Sequence, residues 1–157
     1  MSTLIPNNIN IKLPADARIA VVAARFNSQI VDELIAGCTR QLKHLGAADS
    51  QIKLHRVPGA FELPLAAKAL AAIKKYHAVI CLGAVIRGDT PHFDFVAGEC
   101  ARGIMQVSVS ETLPIIFGVL TTNTHQQALD RIGGAHGHAG ERAADAAAEM
   151  IQLLRDL

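Results

Sequence analysis

Tryptophan is absent from this 157-residue chain, and its aromatics amount to one tyrosine and five phenylalanines. The core must therefore be mostly Ala, Val, Ile and Leu, and each aromatic stands out as a candidate for work other than packing. Cysteine is equally sparse. Cys38, Cys81 and Cys100 are odd in number, lack CxxC spacing and sit among apolar residues. That pattern argues against a disulfide framework and fits small buried hydrophobes in a reducing compartment. Charge of one sign is also missing. A net charge of +1 without a basic run leaves no electrostatic footprint for nucleic acid or an anionic membrane. A neutral or locally anionic small molecule is the expected partner. No apolar run approaches the ~20 residues of a membrane span, and no segment has the pattern of a signal peptide, so the expected location is cytoplasmic.

What is present is apolar: 50% hydrophobic residues against 18% charged. The length suits one domain with a sizeable core, with some excess apolar surface left for a subunit interface. Residues 1–14, with Pro6, Asn7, Asn8, Asn10 and Pro14, read as an extended arm ahead of a single domain over 15–157. Ile9, Ile11 and Leu13 alternate in that arm, which lets it add a strand to a neighbouring subunit.

Along the domain, strand and helix signals alternate. Buried strands are predicted at Ile19 to Ala24, Ile52 to Val57, Ala78 to Ile86 and Pro114 to Leu120. The first helix spans about 28 to 45, with Asn27 or Ser28 placed to accept bonds from its first-turn amides and Gly46 as its stop. Helices follow from about Phe61 to Tyr76, with Pro64 in its first turn, and from about Asp94 to Thr112. Thr124 and Gln127 form a capping box for a short helix ending near Ile132. Gly133, Gly134, Gly137 and Gly140 interrupt the chain before a last helix from about Glu141 to Arg155, with Ala143, Ala147, Met150, Ile151 and Leu154 on its apolar stripe. Strict alternation requires a parallel sheet with helices on both faces. The predicted fold is α/β, a three-layer flavodoxin-like sandwich around a four-stranded parallel sheet, whose exposed edges favour the arm acting between subunits.

In such sheets ligands bind beyond the carboxyl ends of the strands. There the chain places Arg25-Phe26-Asn27, Pro58-Gly59-Ala60-Phe61-Glu62, Arg87 to Asp94, and Thr121-Thr122-Asn123 after Phe117. Phe26 and Phe61, at the tops of adjacent strands, either stack on a planar heterocycle or anchor their loops. Glu62 either accepts hydrogen bonds from ring NH or sugar hydroxyl groups or compensates a helix dipole. The turn Gly88-Asp89-Thr90 offers backbone amides and a helix end to an anion such as phosphate. His92 alone among the seven histidines lies in the loop above the central strand, where an imidazole can transfer protons near neutral pH. Asp94 either orients it or caps the helix. Arg131 can hold a phosphate through a planar two-point contact, or simply suits a helix end. His136 and His138 lack a third ligand, so no metal is expected.

The segments Arg25-Phe26-Asn27, Val57-Pro58-Gly59-Ala60-Phe61-Glu62-Leu63-Pro64, Gly83 to Val96 and Phe117 to Thr122 together resemble the lumazine synthase family, in order from about Arg18 to Leu154. The resemblance implies condensation of 5-amino-6-(D-ribitylamino)uracil with 3,4-dihydroxy-2-butanone 4-phosphate to 6,7-dimethyl-8-ribityllumazine, phosphate and water, in riboflavin biosynthesis. It implies no cofactor and no metal. The substrate's own amine attacks the ketone, so no enzyme lysine is needed for the imine.

Carried over by motif, Phe26 stacks on the pyrimidine, Ala60, Phe61 and Glu62 hold the uracil and ribityl chain, and Ala84, Val85 and Ile86 offer backbone contacts. Asp89, Thr90 and Arg131 bind the phosphate, His92 is the proton donor and shuttle, and Phe117 closes the pocket of the adjacent subunit. The family further implies a homopentamer with sites between subunits, twelve pentamers forming a hollow shell in some members, and riboflavin synthase as a partner. One departure stands out. Where the family often has Gly-Asn-Lys-Gly, this chain has Gly137-His138-Ala139-Gly140. The change removes a cation near the phosphate, weakening its binding unless His138 compensates. It also keeps open a flavin- or lumazine-binding module of the same fold with little turnover. A phosphoacceptor signalling domain is disfavoured, because the first strand ends in Arg25-Phe26-Asn27 and not in an acidic, Mg²⁺-holding cluster.

Overall fold

A computed structural model describes residues 11–157. Four parallel strands, β1 (Ile19–Ala24), β2 (Ile52–Val57), β3 (Ala78–Ile86) and β4 (Ile115–Thr122), form one sheet in the order β2-β1-β3-β4. Between them run α1 (Ser28–His44), α2 (Leu63–Ala72) and α3 (His92–Glu111). The short α4 (His125–Leu129) follows β4, and α5 (Ala139–Asp156) closes the chain. β1 is buried along its whole length and β3 through Ala84, as strands covered on both faces must be. One core half packs α1 and α5 against the sheet through Ile30, Leu34, Cys38, Ala144 and Ala147; the other packs α2 and α3 through Leu63, Ala67, Cys100 and Ile104. The three-layer α/β architecture is the predicted one.

Element boundaries shift where tertiary contacts overrule local signals. α2 ends at Ala72, short of Tyr76, because Lys74 turns into a left-handed conformation (φ 57°) and His77 must reach the start of β1. There the His77 N–H donates to the Arg18 carbonyl at 2.8 Å, and its Nδ1 accepts from the Arg18 N–H at 3.0 Å. Phe61 lies in a 3-10 turn at Ala60–Glu62 ahead of α2. α3 begins two residues early, at His92, directly after Pro91, whose fixed φ suits helix entry. β4 runs on to Thr122, whose carbonyl accepts from the Arg87 N–H at 2.9 Å.

The predicted capping box is only half formed. Thr124 Oγ1 accepts from the Gln127 N–H at 3.2 Å, but the Gln127 side chain reaches the Asn123 N–H at 2.8 Å instead of its cap residue. α4 stops at Leu129, and the glycine-rich stretch folds as an antiparallel hairpin of β5 (Ile132–Gly134) and β6 (Gly137–His138). On α5 the buried stripe is Ala143, Ala144, Ala147, Ala148 and Ile151; Met150 and Leu154, predicted on it, are exposed. Small residues line that stripe because α1 and α5 approach closely. A Cβ on Gly140 would sit 2.2 Å from the Leu34 carbonyl oxygen.

The arm's residues 1–10, including Ile9, lie outside the described residues. Of the rest, Leu13 is buried against its own subunit, with its N–H donating to the Leu45 carbonyl at 2.8 Å.

Candidate active site

Because all four strands are parallel, their carboxyl ends share one edge of the sheet. The β1–β2 pairing continues past both strands: the Arg25 N–H donates to the Val57 carbonyl at 2.8 Å and the Phe26 N–H to the Pro58 carbonyl at 3.1 Å. This extension holds Phe26, 72% exposed, beside the turn that carries Phe61, 57% exposed. Two large apolar faces stand in water at adjacent strand ends. The 3-10 turn itself packs against β1, β3 and α3. Within it Ala60 is buried, and Glu62 folds back so that Oε2 accepts from the Gly59 N–H at 2.9 Å. Its other carboxylate oxygen has no protein partner among the described residues.

β3 rises above its neighbour on one side. Its pairing with β1 ends at Ala23↔Leu82, whereas its pairing with β4 continues to Ile86↔Thr122. Ala84, Val85 and Ile86 therefore present an unladdered backbone edge toward the β1 side. Asn27 uses part of that edge. Its amide Nδ2 donates to the Ala84 carbonyl at 2.8 Å. Asn27 therefore makes no side-chain cap for α1, contrary to the capping expectation; it adopts the left-handed conformation (φ 55°), which asparagine tolerates.

Beyond β3, Asp89 and Thr90 are exposed in the turn and His92 is exposed as the first residue of α3. Arg87 organises this loop. Its guanidinium lies 4.1 Å over the Phe93 ring, donates from Nε to Asn123 Oδ1 at 3.0 Å, and contacts both Asp94 oxygens at 2.9 and 3.3 Å. Asp94 thus neither orients His92 nor caps α3. Its hydrogen bond from Arg87 holds its carboxyl below the usual carboxylate range, although the pair is exposed.

Other predicted site residues are spread out. Phe117 is the third residue of β4, paired with Cys81 and 42% exposed on a sheet edge. At about 3.3 Å per residue it lies roughly 16 Å below Thr122 at the strand's top. It cannot serve the strand-end cluster of its own subunit. Arg131 follows α4, where Nη1 donates to the Gln127 carbonyl at 2.8 Å. His138 is buried, with Nδ1 accepting from the Gly140 N–H at 3.2 Å; burial lowers its pKa. Its ring is a helix cap, which rules out direct compensation for the missing lysine in this conformation. His136 is exposed.

Sequence reasoning gave no role to Arg87 or Asn123, though both lie in the strand-end segments, and passed over His125. An arginine between an apolar strand and an aromatic–acid pair was the available signal for Arg87. For His125 there was none. It joins Arg25, Phe26, Asn27, Ser28, Gln29 and Ile30 around an open cleft of about 370 Å³ only because α4 returns beside the top of β1.

The sequence model of the 6,7-dimethyl-8-ribityllumazine synthase family matches residues 16–155, which include every strand end described above. A curated protein of Desulfotalea psychrophila named 6,7-dimethyl-8-ribityllumazine synthase is 53% identical over 150 residues, covering 95% of this chain and 97% of that protein.

Proposed function

Because the chain belongs to the 6,7-dimethyl-8-ribityllumazine synthase family, it is a transferase of riboflavin biosynthesis, and we propose that its reaction centre is the carboxyl-edge cluster, completed by a neighbouring copy. The reaction condenses 5-amino-6-(D-ribitylamino)uracil with 3,4-dihydroxy-2-butanone 4-phosphate to give 6,7-dimethyl-8-ribityllumazine.

The observation that carries the site assignment is the unladdered edge of β3, open toward the side of the sheet on which the β1 and β2 ends expose Phe26 and Phe61. A planar pyrimidine needs aromatic faces and in-plane hydrogen-bond partners together. Phe26 and Phe61 supply the faces, and the backbone of Ala84 to Ile86 supplies the partners. Ala60 closes the floor, and the free oxygen of Glu62 accepts from the ribityl chain. The amides of the Asp89-Thr90 turn hold the phosphate, with Arg131 neutralising it across the subunit boundary. His92, at the start of α3, manages the protons of imine formation, phosphate loss and ring closure. Most of the acceleration comes from holding two substrates in register.

Phe117, remote from its own subunit's cluster, closes the site of the next copy. Apolar surface supports that assembly. On α3 the exposed Phe95, Met105 and Val109 share a face with three-and-four spacing through Gly98 and Arg102, and Leu65 is exposed on α2. Such a stripe in water marks a covered surface. The assembly in this reading is a homopentamer or a multiple of it. Among the described residues no helix is long and apolar enough to cross a membrane, and a cytoplasmic location belongs to the same reading. Riboflavin synthase, which consumes the lumazine, is the protein partner in this reading.

The test mixes purified protein with both substrates and follows the fluorescent lumazine. Product well above the uncatalysed background is expected; background rates with tight flavin binding would instead identify a binding module. Sedimentation velocity should give a pentamer, a decamer or a sixty-subunit shell, and a stable monomer would refute the shared site.

A further inference from the structure

His138 occupies a notch that exists only because residue 37 is glycine. A Cβ on Gly37 would stand 2.0 Å from the imidazole Cε1 and 2.4 Å from Nδ1. Nδ1 accepts the Gly140 N–H at the start of α5, so the ring is wedged between α1 and the N-terminus of α5. The backbone of the same residue pairs with Ile132 in the β5–β6 hairpin. One residue on, the Ala139 N–H donates to the Arg131 carbonyl at 2.8 Å, and the His136 N–H donates to the Asp130 carbonyl at 2.8 Å. The hairpin is thereby stitched to the segment bearing Arg131, and His138 fixes the hairpin to the body of the protein. From Asp130 to Gly140 the only permanent cation is Arg131, because residue 139 is alanine. Where that arginine stands decides whether this loop can meet a phosphate at all.

We propose that His138 is a positioning residue for Arg131, holding its backbone at the setting from which the guanidinium reaches the phosphate of the bound butanone phosphate. The inference rests on the assignment of Arg131 to that phosphate. The neutral imidazole is the working form, since a protonated Nδ1 cannot accept from Gly140. Burial favours that form; of the charges facing the ring, Glu141 on α5 and Glu33 on α1 oppose it, while Arg40 on α1 and Arg142 on α5 support it.

Steady-state kinetics of the whole protein with both substrates tests this. In His138→Ala the KM for 3,4-dihydroxy-2-butanone 4-phosphate should rise about tenfold, with kcat and the KM for the ribitylaminouracil unchanged. Gly37→Ala, which expels the ring by a substitution on α1 and leaves the hairpin's own sequence intact, should move the same constant. His138→Asn, which retains an acceptor for the Gly140 N–H, should recover part of the loss. It should also abolish the extra rise in that KM expected of the wild type as the pH falls below the ordinary imidazole range. If Arg131→Ala raises the KM but His138→Ala and Gly37→Ala leave it alone, or lower kcat and raise both KM values together, the positioning role is overturned and the arginine's role stands. If Arg131→Ala changes nothing, the phosphate assignment falls and this inference falls with it. Should His138→Ala fail to fold, Gly37→Ala and His138→Asn make the same comparison.

Discussion

The side-chain amide of Asn27 donates to the carbonyl of Ala84 across 2.8 Å, joining the end of β1 to the one stretch of β3 that β1 does not pair. The bond occupies one position on the edge assigned to the heterocycle and leaves Val85 and Ile86 beside it. It also holds Phe26, the preceding residue, at a set height above the sheet.

Replacing Asn27 separates its two contributions. Asn27→Gly keeps the left-handed backbone and loses the hydrogen bond, and should destabilise by about 1 kcal/mol. Asn27→Val adds the strain of a β-branched residue at φ 55° and should cost about 1 to 3 kcal/mol more. Urea midpoints at one fixed protein concentration give the comparison, since assembly makes stability concentration-dependent. Equal midpoints for the two variants would show that the backbone there is not constrained. Both should raise the KM for the ribitylaminouracil.

Arg87 holds three partners at once: Asn123 after β4, Asp94 on α3 and the Phe93 ring. Arg87→Ala should lower kcat/KM about tenfold by loosening the loop that carries Asp89, Thr90 and His92. Arg87→Lys should restore little, because an ammonium cannot stack and bridge in one plane. Full activity in Arg87→Lys would reduce the residue to a plain positive charge.

His92→Ala should slow turnover by about 10² to 10⁴-fold without abolishing it, since approximation of the substrates remains. An unchanged kcat would remove His92 from the chemistry. Arg131→Ala should act on a different constant, raising the KM for the phosphorylated substrate and sparing that for the amine.

The three thiols should be inert in the folded protein. Burial pushes Cys38 and Cys100 up to about 12 and Cys81 higher still, so almost no thiolate exists near neutrality. A colourimetric thiol reagent should titrate none in the native protein and all of them in denaturant. Fast modification of the native protein would contradict the packing of α1, β3 and α3 described above.

His138 also makes a stability prediction. Its folded pKa lies below the ordinary 6.5, so the unfolded chain takes up the proton first and stability is lost as the pH falls below about 6.5. Above that window the contribution is fully present. Denaturation midpoints against pH should therefore fall less steeply in His138→Asn than in the wild type.

Much of the fold was legible along the chain because its signals are local. Continuous apolar runs such as Ala78 to Ile86 mark strands buried on both faces, and helical spacing from Ile30 to Leu42 marks the covering layer. Strand–helix alternation then leaves few topologies, and all of them gather Phe26, Phe61 and His92 on one sheet edge. Groups whose partners are distant in sequence were beyond that reach. Asn27 looked like a helix cap, because a cap needs only its own first turn, yet its amide finds a carbonyl 57 residues away. Asp94 had two local readings and took neither, since Arg87 folds over Phe93 to meet it. His138 read as half of an incomplete metal pair or a stand-in for the missing lysine until α1 brought Gly37 beneath it. Composition and periodicity report which surfaces must be buried; which polar atom meets which depends on a three-dimensional approach that no residue encodes alone.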